Sequence, residues 1–118
     1  RGAHPNFWSF YDNTPAGVTI HLIDEGVDTG PIVSQKYVYF NKNDDTFAKT
    51  YKILNIEIEN LFLECLDSFI EDNWIAKEQK SLGTHHYVKD LPSNFSGWNA
   101  NIKEELKKLN FEGLKYEK

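Results

Sequence analysis

One apolar stripe runs through the middle of the sequence and predicts a long helix from Thr46 to about Asp72. Its side chains recur every three or four residues, which is the spacing of a single helix face. They are Phe47, Tyr51, Leu54, Ile58, Leu61, Cys65 and Phe69. A helix of about 27 residues is roughly 40 Å long, so it can cross an entire sheet. The polar residues at positions 43–45 are expected to supply its N-cap.

Two further apolar residues, Ile56 and Leu63, lie near the opposite face of this helix, among charged and amide side chains. They are either scattered surface apolar residues, which are common, or contacts to another subunit or to a further segment. The spacing alone leaves both readings open.

The elements around the helix are shorter. A helix is expected from His4 to Tyr11, because Pro5 suits a first helical position. Residues 17–23 and 32–40 are rich in β-branched and aromatic residues and predict two strands joined as a wide hairpin. The first strand is apolar on both faces, which is typical of a strand covered on both sides. A short last helix carries Ile102, Leu106 and Leu109, with Asn99 or Asn101 as its cap.

Composition excludes several classes of function. Thirteen basic against eighteen acidic residues give a net charge of −5, which is too acidic for a stripe that follows a phosphate backbone or an anionic membrane. The single cysteine, Cys65, excludes an internal disulfide and favours a reducing, cytoplasmic setting. No membrane-spanning run or signal peptide is recognisable. The chain begins at Arg1 and has no Met, so we expect a processed start or a segment of a longer protein.

The loop from Asp24 to Gly30 is the best candidate for chemistry. It holds three carboxylates and two glycines just beyond a strand, where α/β sheets bind ligands. A carboxylate packed against apolar strands would favour its neutral form and could exchange protons near neutral pH. The alternative is a glycine turn with solvated acids. A calcium loop fails, because Thr29 and Gln35 stand where an EF-hand needs Gly and Glu.

Histidines add little by themselves. His21 lies on the strand beside the loop and is either a hydrogen-bonded core residue or part of a site. His85 and His86 lack the spacing of a zinc site, so no metal site is predicted.

Two stretches, residues 1–8 (RGAHPNFW) and 16–32 (AGVTIHLIDEGVDTGPI), resemble the 10-formyltetrahydrofolate-dependent formyltransferases. That family comprises the glycinamide ribonucleotide, methionyl-tRNA and nucleotide-sugar amine formyltransferases. The resemblance is good over residues 1–40 and fits the long helix by position. Residues 83–92 look similar to the sugar-type members.

This resemblance implies an α/β fold, the second half of a Rossmann-like catalytic domain, as a single or partial domain over residues 1–118. By the same resemblance, Asp28 matches the catalytic aspartate and His21 a histidine beside the active site. The folate-binding wall of the formyl donor, 10-formyltetrahydrofolate, would consist of Ile23, Asp24, Glu25, Gly26 and Val27. The acceptor would be a small-molecule amine, such as an amino-sugar nucleotide, or an aminoacyl-tRNA.

One departure from the family pattern is expected to matter. The family's catalytic Asn and His, which stabilise the oxyanion, lie just before the Arg-Gly pair that opens this chain. We therefore expect a formyltransferase segment of a longer enzyme that is inactive and self-associating by itself. The alternative is a non-catalytic, self-associating or ligand-binding remnant of the fold.

Overall fold

The computed structural model describes residues 2–41, 45–80 and 83–116. Within them the elements are α1 (Pro5–Tyr11), β1 (Gly17–His21), β2 (Ile32–Tyr37), α2 (Phe47–Ile70), a 3-10 turn (Val88–Asp90) and α3 (Ile102–Tyr116). The predicted order of helices and strands is confirmed, with a last helix that is longer than expected.

The two strands form an antiparallel hairpin, as the strand–loop–strand pattern predicts. Gly17 lies opposite Tyr37 and Ile20 opposite Ser34, and the register shifts after Ile20. Both strands are shorter than predicted, since β1 ends at His21 and β2 at Tyr37. The predicted covering of both faces fails at the strand end, where Ile23 is 93% exposed. Only Val18 of β1 is buried.

The N-cap of α2 is Thr46, not the residues at 43–45. The Thr46 hydroxyl accepts a hydrogen bond from the Lys49 main-chain N–H at 3.1 Å, and its backbone is extended, as at most helix N-caps. Asp45 lies one residue too early to cap, and its carboxylate instead pairs with the Lys49 ammonium at 3.0 Å. The predicted cap residues 43 and 44 lie outside the described residues.

The apolar stripe of α2 is only partly buried. Phe47 and Leu61 of the stripe are buried, whereas Tyr51 is 60% exposed and Cys65 is half-buried. A helix of 24 residues is about 36 Å long, and a two-stranded hairpin covers only part of it. On the far face, Ile56 and Leu63 are exposed.

The core lies where α1, the start of α2 and α3 meet. Phe7, Phe47 and Ile102 are completely buried there, and the Phe7 and Phe47 rings are 5.4 Å apart. Buried Asn6 joins the two helices, since its amide donates to the Phe47 carbonyl oxygen (2.9 Å) and accepts from the Thr50 hydroxyl (2.9 Å). This polar bridge fixes α1 on α2 and so fixes the chain that leads into the hairpin.

Candidate functional site

The end of β1 and the loop after it bring His21 and Asp28 together. His21 Nε2 lies 3.7 Å from Asp28 Oδ1, and the side chains are 27% and 46% exposed. The distance exceeds that of a direct hydrogen bond, but catalytic contacts are often long in ligand-free structures. The structure thus places the two predicted site residues side by side at an accessible edge.

The imidazole of His21 has a defined orientation. Its Nδ1 lies 2.6 Å from the Leu22 carbonyl oxygen, and because a carbonyl can only accept, Nδ1 must carry a proton. Nε2 then faces the Asp28 carboxylate, and it is protonated only when the ring is charged. The His21–Asp28 pair can therefore take up or release one proton at Nε2 or at the carboxylate, which is what general acid–base chemistry requires.

Asp28 is held by its main chain and by its side chain. Its φ of 57° is in the left-handed region, which Asp and Asn tolerate better than other non-glycine residues. The second carboxylate oxygen, Oδ2, accepts from the Gly2 main-chain N–H at 3.1 Å. The Gln79 amide donates to the carbonyl oxygens of Asp28 and Gly30, at 2.8 and 2.7 Å. The carboxylate therefore has one fixed oxygen and one oxygen that faces His21.

Asp24 shapes the loop. Its Oδ1 accepts from the Thr29 hydroxyl (2.5 Å) and from the Gly26 main-chain N–H (2.9 Å). The pKa of Asp24 is lowered, first by the Thr29 hydroxyl and then by the Gly26 N–H, because both bonds favour the charged form. Asp24 is therefore not the carboxylate with a favoured neutral form that the sequence led us to consider.

The same loop leaves apolar groups uncovered beside Asp28. Ile23 is 93% exposed and Val27 63% exposed. Gly30 is buried, and a Cβ there would overlap the Leu22 carbonyl oxygen. The exposed part of this loop therefore offers apolar surface to a ligand.

Two of the groups that hold Asp28 were not identified from the sequence. Gly2 lies 26 and Gln79 lies 51 positions away from Asp28 in the chain, and neither belongs to a periodic pattern. The Gln79 segment reaches the site because Lys77 forms an antiparallel bridge with Ile32 at the start of β2. The sequence offered only the family resemblance around Gly2, and that resemblance does not predict the contact between Gly2 and Asp28.

A second concave surface lies apart from the loop. It is a cleft of about 710 Å³ between α1, β1 and α2, lined by Trp8, Val18, Leu54, Ile58 and Trp98 among others. Among the residues that the structure describes, no three His, Cys, Asp or Glu side chains cluster as metal ligands would. No helix in the described ranges combines the length and hydropathy needed to cross a bilayer.

Several known proteins are similar to this chain in sequence. Residues 1–66 match the formyl transferase family model. A dTDP-4-amino-4,6-dideoxyglucose formyltransferase of Mycobacterium tuberculosis is 33% identical over 91 residues, which are 77% of this chain and 38% of the relative. A methionyl-tRNA formyltransferase of Thermodesulfovibrio yellowstonii is 38% identical over 68 residues, or 57% of this chain and 22% of the relative.

Known structures share the fold. The chain superimposes with a TM-score of 0.81 and 38% identity on the formyltransferase PseJ from Anoxybacillus kamchatkensis, whose structure is a complex with UDP-4,6-dideoxy-4-formamido-L-AltNAc and tetrahydrofolate. The match covers 88% of this chain and 57% of that one. The chain thus spans little more than a third of the length of its curated sugar-formyltransferase relative.

Proposed function

This chain belongs to the formyl transferase family, and we propose that it forms part of an enzyme that transfers a formyl group from 10-formyltetrahydrofolate to an amine. The observation that carries the proposal is the Asp28 carboxylate, which is fixed by Gly2 on one oxygen and faces His21 with the other. The chain's share of its relatives' length supports a segment of a longer catalytic domain.

Asp28 is the proton acceptor in this proposal. An amine that receives a formyl group must lose a proton, and the donor nitrogen that is released must gain one. A carboxylate at hydrogen-bond reach of both, directly or through water, can hold that proton in between. The 46% exposure of the Asp28 side chain supports access by water.

His21 orients and supports this carboxylate. With Nδ1–H donating to the Leu22 carbonyl oxygen, the Nε2 edge of the ring faces Asp28 at 3.7 Å. A charged ring stabilises the carboxylate, and a neutral ring leaves it free to accept a proton. In the family resemblance a histidine stands at this position beside the active site, which supports the same role.

The loop from Ile23 to Val27 is the proposed folate wall. Exposed Ile23 and Val27 offer apolar surface, while Gly26 presents main chain without a side chain. The 10-formyltetrahydrofolate donor would supply the formyl group, and these residues would bind its ring next to Asp28. Asp24 and Glu25 belong to this wall in the resemblance, and Asp24 contributes by shaping it.

The proposed acceptor is the amine of an amino-sugar nucleotide. The structural likeness to a sugar formyltransferase over 88% of the chain supports it. The net charge of −5 also argues against an acceptor with many phosphates, such as tRNA, since binding one requires basic side chains to neutralise them. Oxyanion stabilisation is assigned by the family resemblance to an Asn and a His outside these 118 residues, so we propose that the parent enzyme supplies them.

The test is Asp28→Asn in the parent enzyme. Asn keeps the size of the side chain and tolerates the left-handed backbone at this position, but it cannot accept the proton. We expect the rate of formyl transfer to fall by at least about 100-fold, as for the loss of a general base. Turnover is measured with 10-formyltetrahydrofolate and an amino-sugar nucleotide.

Asp72→Asn is the matched control, because it makes the same change at an exposed residue outside the loop whose backbone is also left-handed. It should keep most of the activity. Near-full turnover by Asp28→Asn would refute the assignment of Asp28. Absence of formyl transfer by the unaltered parent would favour a non-catalytic remnant of the fold.

A further inference from the structure

His86, in the segment that follows α2, packs against residues near the beginning of the chain. The His86 ring is stacked on the Trp8 indole, with centroids 3.7 Å apart and planes only 6° from parallel. Its Nε2 lies 2.7 Å from Asp12 Oδ2. The side chains of His86 and Asp12 are mostly buried, with 19% and 22% exposed. His86 thus has two specific contacts, both with the α1 region.

The main chain of the same residue holds the chain ahead of α1. The His86 carbonyl oxygen accepts from the Ala3 N–H at 2.9 Å, and Gly2 and His86 form a parallel bridge. Gly2 has a φ of +84°, and a Cβ at this position would overlap the His86 carbonyl oxygen. Only glycine fits this close approach.

Gly2 also contacts the candidate catalytic residue. Its N–H donates to Asp28 Oδ2 at 3.1 Å. The same short stretch of main chain is therefore held by His86 on one side and binds the Asp28 carboxylate on the other. Hydrogen bonds to an ionised group are stronger than those between neutral groups, but this one requires the Gly2 N–H to stay aimed at the loop.

We propose that His86 is a positioning residue for Asp28, and that it acts through Gly2. The stack on Trp8 and the contact with Asp12 fix the position of His86. The His86 carbonyl oxygen then positions the main chain of residues 2 and 3. The Gly2 N–H in turn donates to Asp28 Oδ2. The catalytic consequence rests on the proposed role of Asp28, whereas the contact chain from His86 to Asp28 does not.

The first test measures the contact without activity. In the parent enzyme labelled with ¹⁵N-glycine, hydrogen exchange of the Gly2 amide is compared among the unaltered protein, Asp28→Asn and His86→Ala. In His86→Ala the Gly2 N–H loses its orientation toward the carboxylate, and exchange should speed about tenfold or more. In Asp28→Asn the N–H faces a neutral amide oxygen instead of a charged one, so exchange should speed by less. Val88→Ala is the matched control, because Val88 is 71% exposed two residues further along the same segment.

The second test measures the catalytic consequence as a double-mutant cycle. His86→Ala should lower kcat about tenfold, with the KM for donor and acceptor within about twofold, since only the orientation of the carboxylate changes. In the Asp28→Asn background the same substitution should have no further effect on kcat. A purely structural role would lower kcat by the same factor in both backgrounds.

Asp12→Ala covers the case in which His86→Ala does not fold. It removes the partner of His86 Nε2 but leaves the stack on Trp8. Gly2 exchange should therefore speed up and kcat should fall, each by less than in His86→Ala. Unchanged Gly2 exchange in both His86→Ala and Asp12→Ala would overturn the proposal. If Asp28→Asn retains turnover while Gly2 exchange still responds to His86, the positioning contact stands and the proposed function of Asp28 fails.

Discussion

At the scale of single residues, the site depends on a loop whose shape is fixed by its own side chains. Asp24 accepts from the Gly26 N–H and from the Thr29 hydroxyl, which closes a tight turn just before Asp28. Gln79 then ties the carbonyl oxygens of Asp28 and Gly30. The loop therefore presents Ile23, Val27 and the Asp28 carboxylate in one arrangement before any ligand arrives. Such preorganisation lowers the cost of binding.

Gly26→Val tests whether this loop is the folate wall. A Cβ on Gly26 would overlap the Thr29 hydroxyl, so a larger side chain must displace Thr29 and break its hydrogen bond to Asp24. We expect the affinity for a tetrahydrofolate analogue to fall more than the affinity for the amino-sugar nucleotide. Both are measured by calorimetry on the parent enzyme.

Ser93→Val is the control for Gly26→Val, because it introduces the same side chain at an exposed loop position outside residues 23–30. An equal loss of both affinities, or a loss of folding alone, would show that Gly26 has only a structural role.

The sequence predicts part of this site and not the rest. His21 and Asp28 are seven positions apart, on a strand and the loop that follows it, so local pattern and resemblance suffice to pair them. Gly2 and Gln79 reach Asp28 across 26 and 51 positions. Such contacts depend on how α1 and the segment after α2 pack, and no periodicity in the chain encodes them.

At the scale of elements, the beginnings of α2 and α3 are joined. The Ala48 N–H donates to the Trp98 carbonyl oxygen (2.7 Å) and the Ile102 N–H to the Asp45 carbonyl oxygen (3.0 Å). Asn101 caps α3, since its side chain accepts from the Glu104 N–H at 3.0 Å. This cap was one of the two predicted from sequence. The predicted N-cap of α2 was wrong by one residue. Several adjacent polar residues can serve as an N-cap, and only packing decides which of them does.

A buried carboxylate secures α3 to the loop before it. Glu105 is 5% exposed, and its Oε1 accepts from the Ser96 N–H (2.9 Å) and pairs with the Lys108 ammonium (3.2 Å). Burial alone would raise the pKa of Glu105, but the hydrogen bonds from Ser96 and the charge of Lys108 outweigh it and lower the pKa. The carboxylate therefore stabilises the fold only while it is ionised.

Glu105→Gln should reduce the free energy of unfolding by about 1–3 kcal/mol at pH 7, as for a broken hydrogen bond to a buried charge. Because the folded pKa is lowered, the contribution of Glu105 is fully present above the unfolded pKa and is lost as pH falls through the folded pKa. The stability of the unaltered protein should therefore approach that of the variant in acid. Urea unfolding from pH 7 down to pH 3 measures this.

Glu104→Gln is the matched control, since Glu104 is exposed in the same helical turn and should change stability much less. A stability difference for Glu105→Gln that stays constant over the whole pH range would contradict the role assigned to its charge.

At the scale of the whole chain, one long helix carries more apolar surface than its neighbours cover. The hairpin packs against part of α2, and the cleft of about 710 Å³ between α1, β1 and α2 leaves Leu54 and Ile58 only partly covered. The periodicity predicts this helix correctly, but periodicity reports which residues prefer burial and not what buries them. The apolar stripe therefore lies where the sequence predicts it, but the elements that would bury all of it are not present among the described residues.

The far face of α2 carries a row with heptad spacing. Ile56, Leu63 and Ile70 are seven residues apart and are 48%, 63% and 74% exposed. Residues at this spacing lie along one line of a helix and pack well against a second helix. Exposed apolar rows of this length are typical of interaction surfaces. Exposure fits both readings that the sequence left open for Ile56 and Leu63, and the heptad spacing makes contact with a second copy the one to test.

We therefore predict that the 118-residue chain self-associates through this row, with a second copy as the occupant. Leu63→Lys places a charge at the centre of the row, and in a symmetric pair it removes two apolar contacts of about 1.5–3 kcal/mol each, so association should weaken by more than tenfold. Light scattering and sedimentation over a range of concentrations measure the effect. Asn55→Lys, a change at an exposed position about 100° around the helix from Ile56, should leave association intact. A chain that remains a folded monomer at high concentration would contradict the prediction, and so would association that survives Leu63→Lys unchanged.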